Sequence, residues 1–162
     1  MSKVYHGSVE EVISPEIREP KRSLDYGSGF YATTSFDQAK RLVERRMKDK
    51  GVDTGYVNAY ELDEEAISHM KTLIFKKANE EWVNFVMKNR TERDFTHDYD
   101  IVYGPVADDS VYTQFTLFEG GIISMGTLIQ ELKTYKLVDQ YLFHTEKALG
   151  AIRFVESIKV EL

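Results

Sequence analysis

Leu24-Asp25-Tyr26-Gly27-Ser28-Gly29-Phe30-Tyr31-Ala32-Thr33-Thr34-Ser35-Phe36-Asp37-Gln38 is the stretch from which the rest of this chain is best read. Gly27 and Gly29, one residue apart, permit positive φ or the close approach of a ligand to the backbone. Phe30-Tyr31-Ala32-Thr33 has the aromatic and branched residues of a strand. Ser35 then stands three residues before Gln38, a capping-box signature. Ala39, Leu42, Val43 and Met47 recur at helical spacing, which predicts a helix over 36–49. A G-x-G pair alone is explained by a tight turn. Its place between a charged loop and a strand that runs into a helix makes it informative.

Upstream, Val4 to Ser8 reads as a short strand ended by Gly7 and running into a turn, and residues 14–23 as a charged surface loop. Downstream, Gly55 to Leu62 reads as a strand, and Asn79 as the cap of a helix whose Trp82, Phe85, Val86 and Asn89 share one face. Residues 90–98 are loop-like, and Tyr99 to Gly104 is a buried strand stopped by Pro105. Residues 106–134 read as mostly helical with a break at Gly120-Gly121. Gln140 to Phe143 is a strand, Thr145 caps a short helix through Leu149, and 152–160 is the last strand. Five or six strands dispersed among three to five helices, without regular βαβ alternation, predict an α+β fold.

The chain has 162 residues, enough for a single domain over 1–162. Hydrophobic residues at 42% and charged residues at 30% exclude a largely disordered chain. The net charge of −6 argues against extended duplex nucleic-acid binding but leaves room for a local arginine pocket around a phosphate. Absence of cysteine removes disulfide frameworks, thiolate zinc sites and cysteine nucleophiles together. His6, His69, His97 and His144 stand at no recognisable metal spacing, so no metal is expected. Neither a G-x-S-x-G elbow nor a G-K-[ST] loop is present. No secretory leader or membrane-length apolar run is evident, which makes the cytoplasm the expected location, without membrane contact.

Three motifs then combine in order: His6-Gly7-Ser8, Gly27-x-Gly29-Phe30-Tyr31-x-Thr33, and Gln140-Tyr141-Leu142-Phe143. This order resembles the ADP-ribosyltransferase superfamily in its diphtheria-toxin and poly(ADP-ribose)-polymerase-like branch. The segments Tyr5–Ser8, Asp25–Thr33, Glu81–Arg90, Tyr99–Asp109 and Gln140–Phe143 are also similar to a small bacterial family of unknown function within that superfamily. The resemblance implies a split antiparallel sheet flanked by helices and NAD as co-substrate. It implies catalytic roles for His6, Tyr31 and Gln140, with Tyr31 stacked on nicotinamide and His6 on the adenosine-side ribose. Gly7, Ser8, Arg22, Gly29, Phe30, Thr33, Thr34 and Ser35 would contact NAD, Arg22 or Arg18 meeting the pyrophosphate.

The family's glutamate, which stabilises the charge developing on the ribose, is matched here by Gln140, an amide without charge. Polymer building is therefore not expected. What remains is mono-ADP-ribosyl transfer to an unknown macromolecular acceptor, NAD hydrolysis, or NAD and ADP-ribose binding without turnover. An RNA 2′-phosphotransferase is disfavoured by the acidic balance. By analogy, such a protein can be an intracellular toxin held by a small antitoxin-like partner, or a modifier of a phage or host target. Two variants follow: Tyr31→Ala should remove stacking while leaving the fold nearly intact, and Gln140→Glu should raise NAD cleavage.

Overall fold

The computed structural model describes residues 2–18, 24–92 and 94–162. Seven strands, β1 (Lys3–Ser8), β2 (Phe30–Thr33), β3 (Thr54–Leu62), β4 (Thr72–Ile74), β5 (Ile101–Pro105), β6 (Asp139–Phe143) and β7 (Ile152–Glu161), form one sheet in the order β4-β5-β6-β2-β1-β3-β7. Among the described residues six helices flank it: α1 (Phe36–Lys50), α2 (Glu64–Ser68), α3 (Glu80–Thr91), α4 (Asp109–Glu119), α5 (Met125–Leu132) and α6 (Glu146–Leu149). The α+β class holds. The sheet is mixed rather than wholly antiparallel, because edge strand β4 runs parallel to β5. Among the described residues no helix is long and apolar enough to cross a membrane.

Capping is the most regular local feature. Ser35, Asp63, Asn79, Asp108, Ser124 and Thr145 each accept, through the side chain, from a backbone N–H in the first turn of their helix. Helix α1 buries Ala39, Val43 and Met47 against Val57 and Val160. It can lie this close because Gly7 has no side chain: a Cβ there would stand 2.6 Å from the Ala39 carbonyl oxygen and 2.7 Å from Val43 Cγ2. Helices α3, α4 and α5 cover β5 and β6 on the same face of the sheet, with Trp82, Val86, Val111, Phe115 and Leu128 packed on Val102 and Leu142. The opposite face gathers Val4, Phe30, Tyr60, Ile101 and Phe143 under α6.

The sheet is nearly divided in its middle. β1 pairs with β3 at six positions, from Lys3↔Glu61 to Ser8↔Tyr56, and β2 pairs with β6 at four. Between β1 and β2 there is one paired position, Tyr5↔Thr33. Beyond Tyr5 the two strands part, and His6, Gly7 and Ser8 continue along β3 with no partner from β2. This divergence opens the cavity that holds the motif residues.

Candidate active site in the cleft between β1 and β2

The parting strands open a cavity of about 650 Å³, within the range of small-molecule and cofactor sites. His6, Gly7 and Ser8 wall one side, Gly29 to Thr33 the other, and Gln140 lies on the floor. Residues up to 134 positions apart in sequence thus meet around one space. Thr34 and Ser35 do not line it: the Thr34 hydroxyl donates to the Asp139 carbonyl at 3.3 Å, and Ser35 caps α1. Arg22 lies outside the described residues, whereas Arg18 lines the mouth, 3.5 Å from Glu16. Thr33 is on the wall, but its hydroxyl already donates to the Asp139 carbonyl and accepts from the Ser35 N–H.

His6 and Tyr31 are joined directly. By strand alternation His6 belongs to the face of Val4 and Phe30, and its ring lies 4.2 Å from that of Phe30. Tyr31, Thr33 and Gln140 belong to the other face. His6 nevertheless reaches the gap, where its Nδ1 donates to the Tyr31 carbonyl at 2.6 Å and ties the two strands where the ladder has ended. That bond fixes the tautomer, leaving Nε2 as an acceptor. Burial, partly opposed by this hydrogen bond and reinforced by Arg46 and Arg18, drives the ring's pKa from 6.5 down to about 4.

The neutral ring carries a pH dependence of stability. The folded protein refuses a proton that the unfolded chain takes up below about 6.5, so His6's contribution is complete above that pH and is lost as pH falls toward 4. At 1.36 kcal/mol per unit, and with the ring in partial contact with solvent, the loss is about 2–3 kcal/mol. Urea unfolding at pH 7.5 and 4.5 should show it in the wild type and not in His6→Asn; equal losses in both would remove His6 from the account.

Tyr31 is built in more firmly than the sequence suggested. Its hydroxyl donates to the Gly27 carbonyl at 2.6 Å and accepts from the Tyr26 N–H at 3.0 Å, closing the turn that precedes its strand. Its ring stacks near Tyr26, with centroids 6.5 Å apart, and packs on the core while lining the cavity. Tyr31→Ala would leave a void and two unpaired backbone groups, at a cost of about 3–5 kcal/mol, so it does not leave the fold intact. Tyr31→Phe keeps the aromatic wall.

The turn itself is clamped from several sides. Gly27 N–H donates to the Leu24 carbonyl at 3.3 Å, His97 Nε2 meets the Tyr26 carbonyl at 2.8 Å, and His144 Nδ1 meets the Ser28 carbonyl at 2.6 Å. Tyr26 is fully buried; its hydroxyl donates to the Pro105 carbonyl at 2.7 Å and accepts from Trp82 Nε1 at 2.8 Å. A Cβ on Gly104 would stand 2.6 Å from that hydroxyl. The Trp82 and Gly104-Pro105 motifs therefore act chiefly by seating the turn.

Several site residues carry no signal that sequence spacing could expose. Asp25 is 8% exposed and lines the cavity, with its Oδ1 accepting from the Tyr112 hydroxyl at 2.9 Å. Arg90 of α3 lays its guanidinium over the Tyr112 ring, 4.3 Å from the centroid, and its Nη1 is buried without a hydrogen-bond partner. Gln140, also 8% exposed, is a second such case. Its Nε2 lies near enough to Asp25 and the Tyr26 hydroxyl to favour their charged forms, yet makes no hydrogen bond of proper geometry. Arg45 and Arg46 of α1 join Arg18 and Arg90 on the lining, which gives a chain of net charge −6 four arginines around one cavity. Among the described residues no group of three or more histidines and carboxylates is placed to hold a metal.

No curated protein and no solved structure matches the chain. A family model described as "Protein of unknown function (DUF3990)" matches residues 2–154, and the chain belongs to that family.

Proposed function

We propose that the cleft between β1 and β2 binds NAD and that the protein transfers its ADP-ribosyl group to a single acceptor. The observation that carries this reading is the convergence of His6-Gly7-Ser8, Gly29 to Thr33 and Gln140 on one cavity, at the point where the sheet parts. Two half-sheets diverging around a ligand cleft are what the resemblance to ADP-ribosyltransferases implies, and the near-division between β1 and β2 supports it. Arg18, Arg45 and Arg46 on the lining suit a pyrophosphate, since guanidinium groups pair with phosphate oxygens in fixed geometry.

Cleavage breaks the bond between nicotinamide nitrogen and ribose C1′, and the electron pair leaves with the nicotinamide. The acceptor's nucleophilic atom bonds C1′ and releases its proton to solvent. In this reading the Tyr31 ring offers the nicotinamide an aromatic wall. The unpaired β1 edge at Gly7 faces the carboxamide, and His6 Nε2 accepts from a ribose hydroxyl.

Purified protein incubated with NAD should release nicotinamide, and His6→Ala should release it at least about tenfold more slowly, in line with loss of a hydrogen bond to the substrate. NAD bound but never cleaved, with or without candidate acceptor proteins, would favour a sensor of NAD or ADP-ribose. Neither binding nor release would retire the assignment.

A further inference from the structure

The cavity is lined by three polar groups, Asp25, Arg90 and Gln140, two of which carry a buried donor that packing leaves unsatisfied. Gln140 Nε2 and Arg90 Nη1 are both buried donors without hydrogen-bond partners, an unfavourable arrangement when nothing accepts from them. Both act on Asp25, a buried carboxylate on the cavity lining. Its turn is held by the Leu24–Gly27 bond, by the Tyr31 hydroxyl and by His97 and His144, so the carboxylate has little freedom to move. Two orphan donors beside a fixed acceptor are complementary to a ligand with vicinal hydroxyls, each of which can accept once and donate once.

Resting on the NAD reading, we propose that Asp25 supplies the negative charge that position 140 lacks. The Asp25 carboxylate and the Gln140 amide together hold the nicotinamide-side ribose diol, and the carboxylate stabilises the positive charge that develops as the C1′–nitrogen bond breaks. The charge has moved from the strand to the adjoining turn, while an amide keeps the hydrogen-bonding half of the role.

The groups facing Asp25 decide whether it can be ionised. They are Arg90 on α3, Tyr112 on α4, Tyr31 on β2 and Tyr26 on the turn itself. Burial raises the carboxyl pKa; the Tyr112 hydroxyl, the Arg90 charge, the Ala107 amide and the Gln140 amide pull it back. Activity should therefore fall on the acid side as Asp25 takes up its proton, at a pH above the ordinary carboxylate range. A glutamate placed at 140 beside Asp25 would make two neighbouring carboxylates share one proton, so Gln140→Glu alone should not exceed the wild type, contrary to what the sequence suggested.

The test is nicotinamide release and calorimetric NAD binding for the wild type, Asp25→Asn, Gln140→Glu and the double variant, with thermal melts for each. Asp25→Asn should lower release about 10²–10³-fold, with NAD affinity within about tenfold of wild type, and the double variant should regain at least about tenfold over Asp25→Asn. Wild-type release by Asp25→Asn, or faster release by Gln140→Glu alone, would overturn the proposal. Should Asp25→Asn fail to fold, Tyr112→Phe decides: removing the hydroxyl must shift the acid limb of the pH–rate profile to higher pH, and an unmoved limb would equally overturn it. A wild type that neither binds nor cleaves NAD brings down the functional reading itself, an outcome distinct from an active wild type whose Asp25→Asn variant is also active.

Discussion

Asn58→Ala is expected to lower the unfolding free energy by about 3–4 kcal/mol, a large effect for an amide outside the cavity. Asn58 sits in the middle of β3, fully buried, directly across from His6. All four of its amide's hydrogen-bonding positions are used. Nδ2 donates to the His6 carbonyl at 3.2 Å and the Glu10 carbonyl at 3.3 Å; Oδ1 accepts from the Val12 N–H at 3.0 Å and the Ser157 hydroxyl at 2.7 Å. The Tyr60 hydroxyl adds a bond to the Val12 carbonyl. These contacts fasten the segment after β1 back onto the sheet and so set the wall that carries His6. Alanine would leave three partly buried backbone groups, at His6, Glu10 and Val12, without this partner, each costing about 1–3 kcal/mol unless water reaches it. Urea denaturation measures the loss directly; a loss under about 1 kcal/mol would mean the segment is not held by this side chain.

Gly29→Ala should be comparably severe, at about 4 kcal/mol. Gly29 has φ +144°, a region that residues with a side chain rarely enter. A Cβ there would fall within contact distance of the Phe143 carbonyl oxygen, 2.6 Å from Leu142 Cδ1 and 3.0 Å from His144 Cα. The strand cannot retreat, because Phe30↔Phe143 pairing follows at once and His144 grips the Ser28 carbonyl. Gly51→Ala is the contrast: φ is +65° but nothing lies within 4 Å of the added atom, so the cost should be about 1 kcal/mol. Thermal melts of the two variants should differ widely. Equal melting temperatures would show that conformation alone, not the packing of β2 on β6, requires glycine at 29.

These two positions mark what could be read from the sequence. Gly29 was legible because a G-x-G before an aromatic strand has few explanations, and the helix after it because Ser35, Gln38 and the Ala39-Val43-Met47 stripe all agree. The predicted helix over 36–49 corresponds to α1, and the break at Gly120-Gly121 falls in the turn between α4 and α5. The two elements without a sequence signal, α2 and β4, have five and three residues. Thr72 to Ile74 becomes a strand only because β5 offers a parallel edge, a tertiary effect that local pattern does not carry.

At the site, the motif residues were visible because they cluster at strand ends. Asp25 and Arg90 stood in the motif segments without a role and Tyr112 stood in none, since their meeting depends on how α3 and α4 pack over the turn. Asn58 did leave a trace: one amide among Val57, Ala59 and Tyr60, where a buried strand would otherwise be apolar.

The most direct test of the central claim is calorimetric titration of the wild-type protein with NAD, with ADP-ribose and nicotinamide as competitors. A cleft bounded by His6 and Tyr31 predicts one saturable site per chain, from which each half of the dinucleotide displaces NAD. No saturable heat with NAD, from a protein that melts cooperatively, would contradict the account.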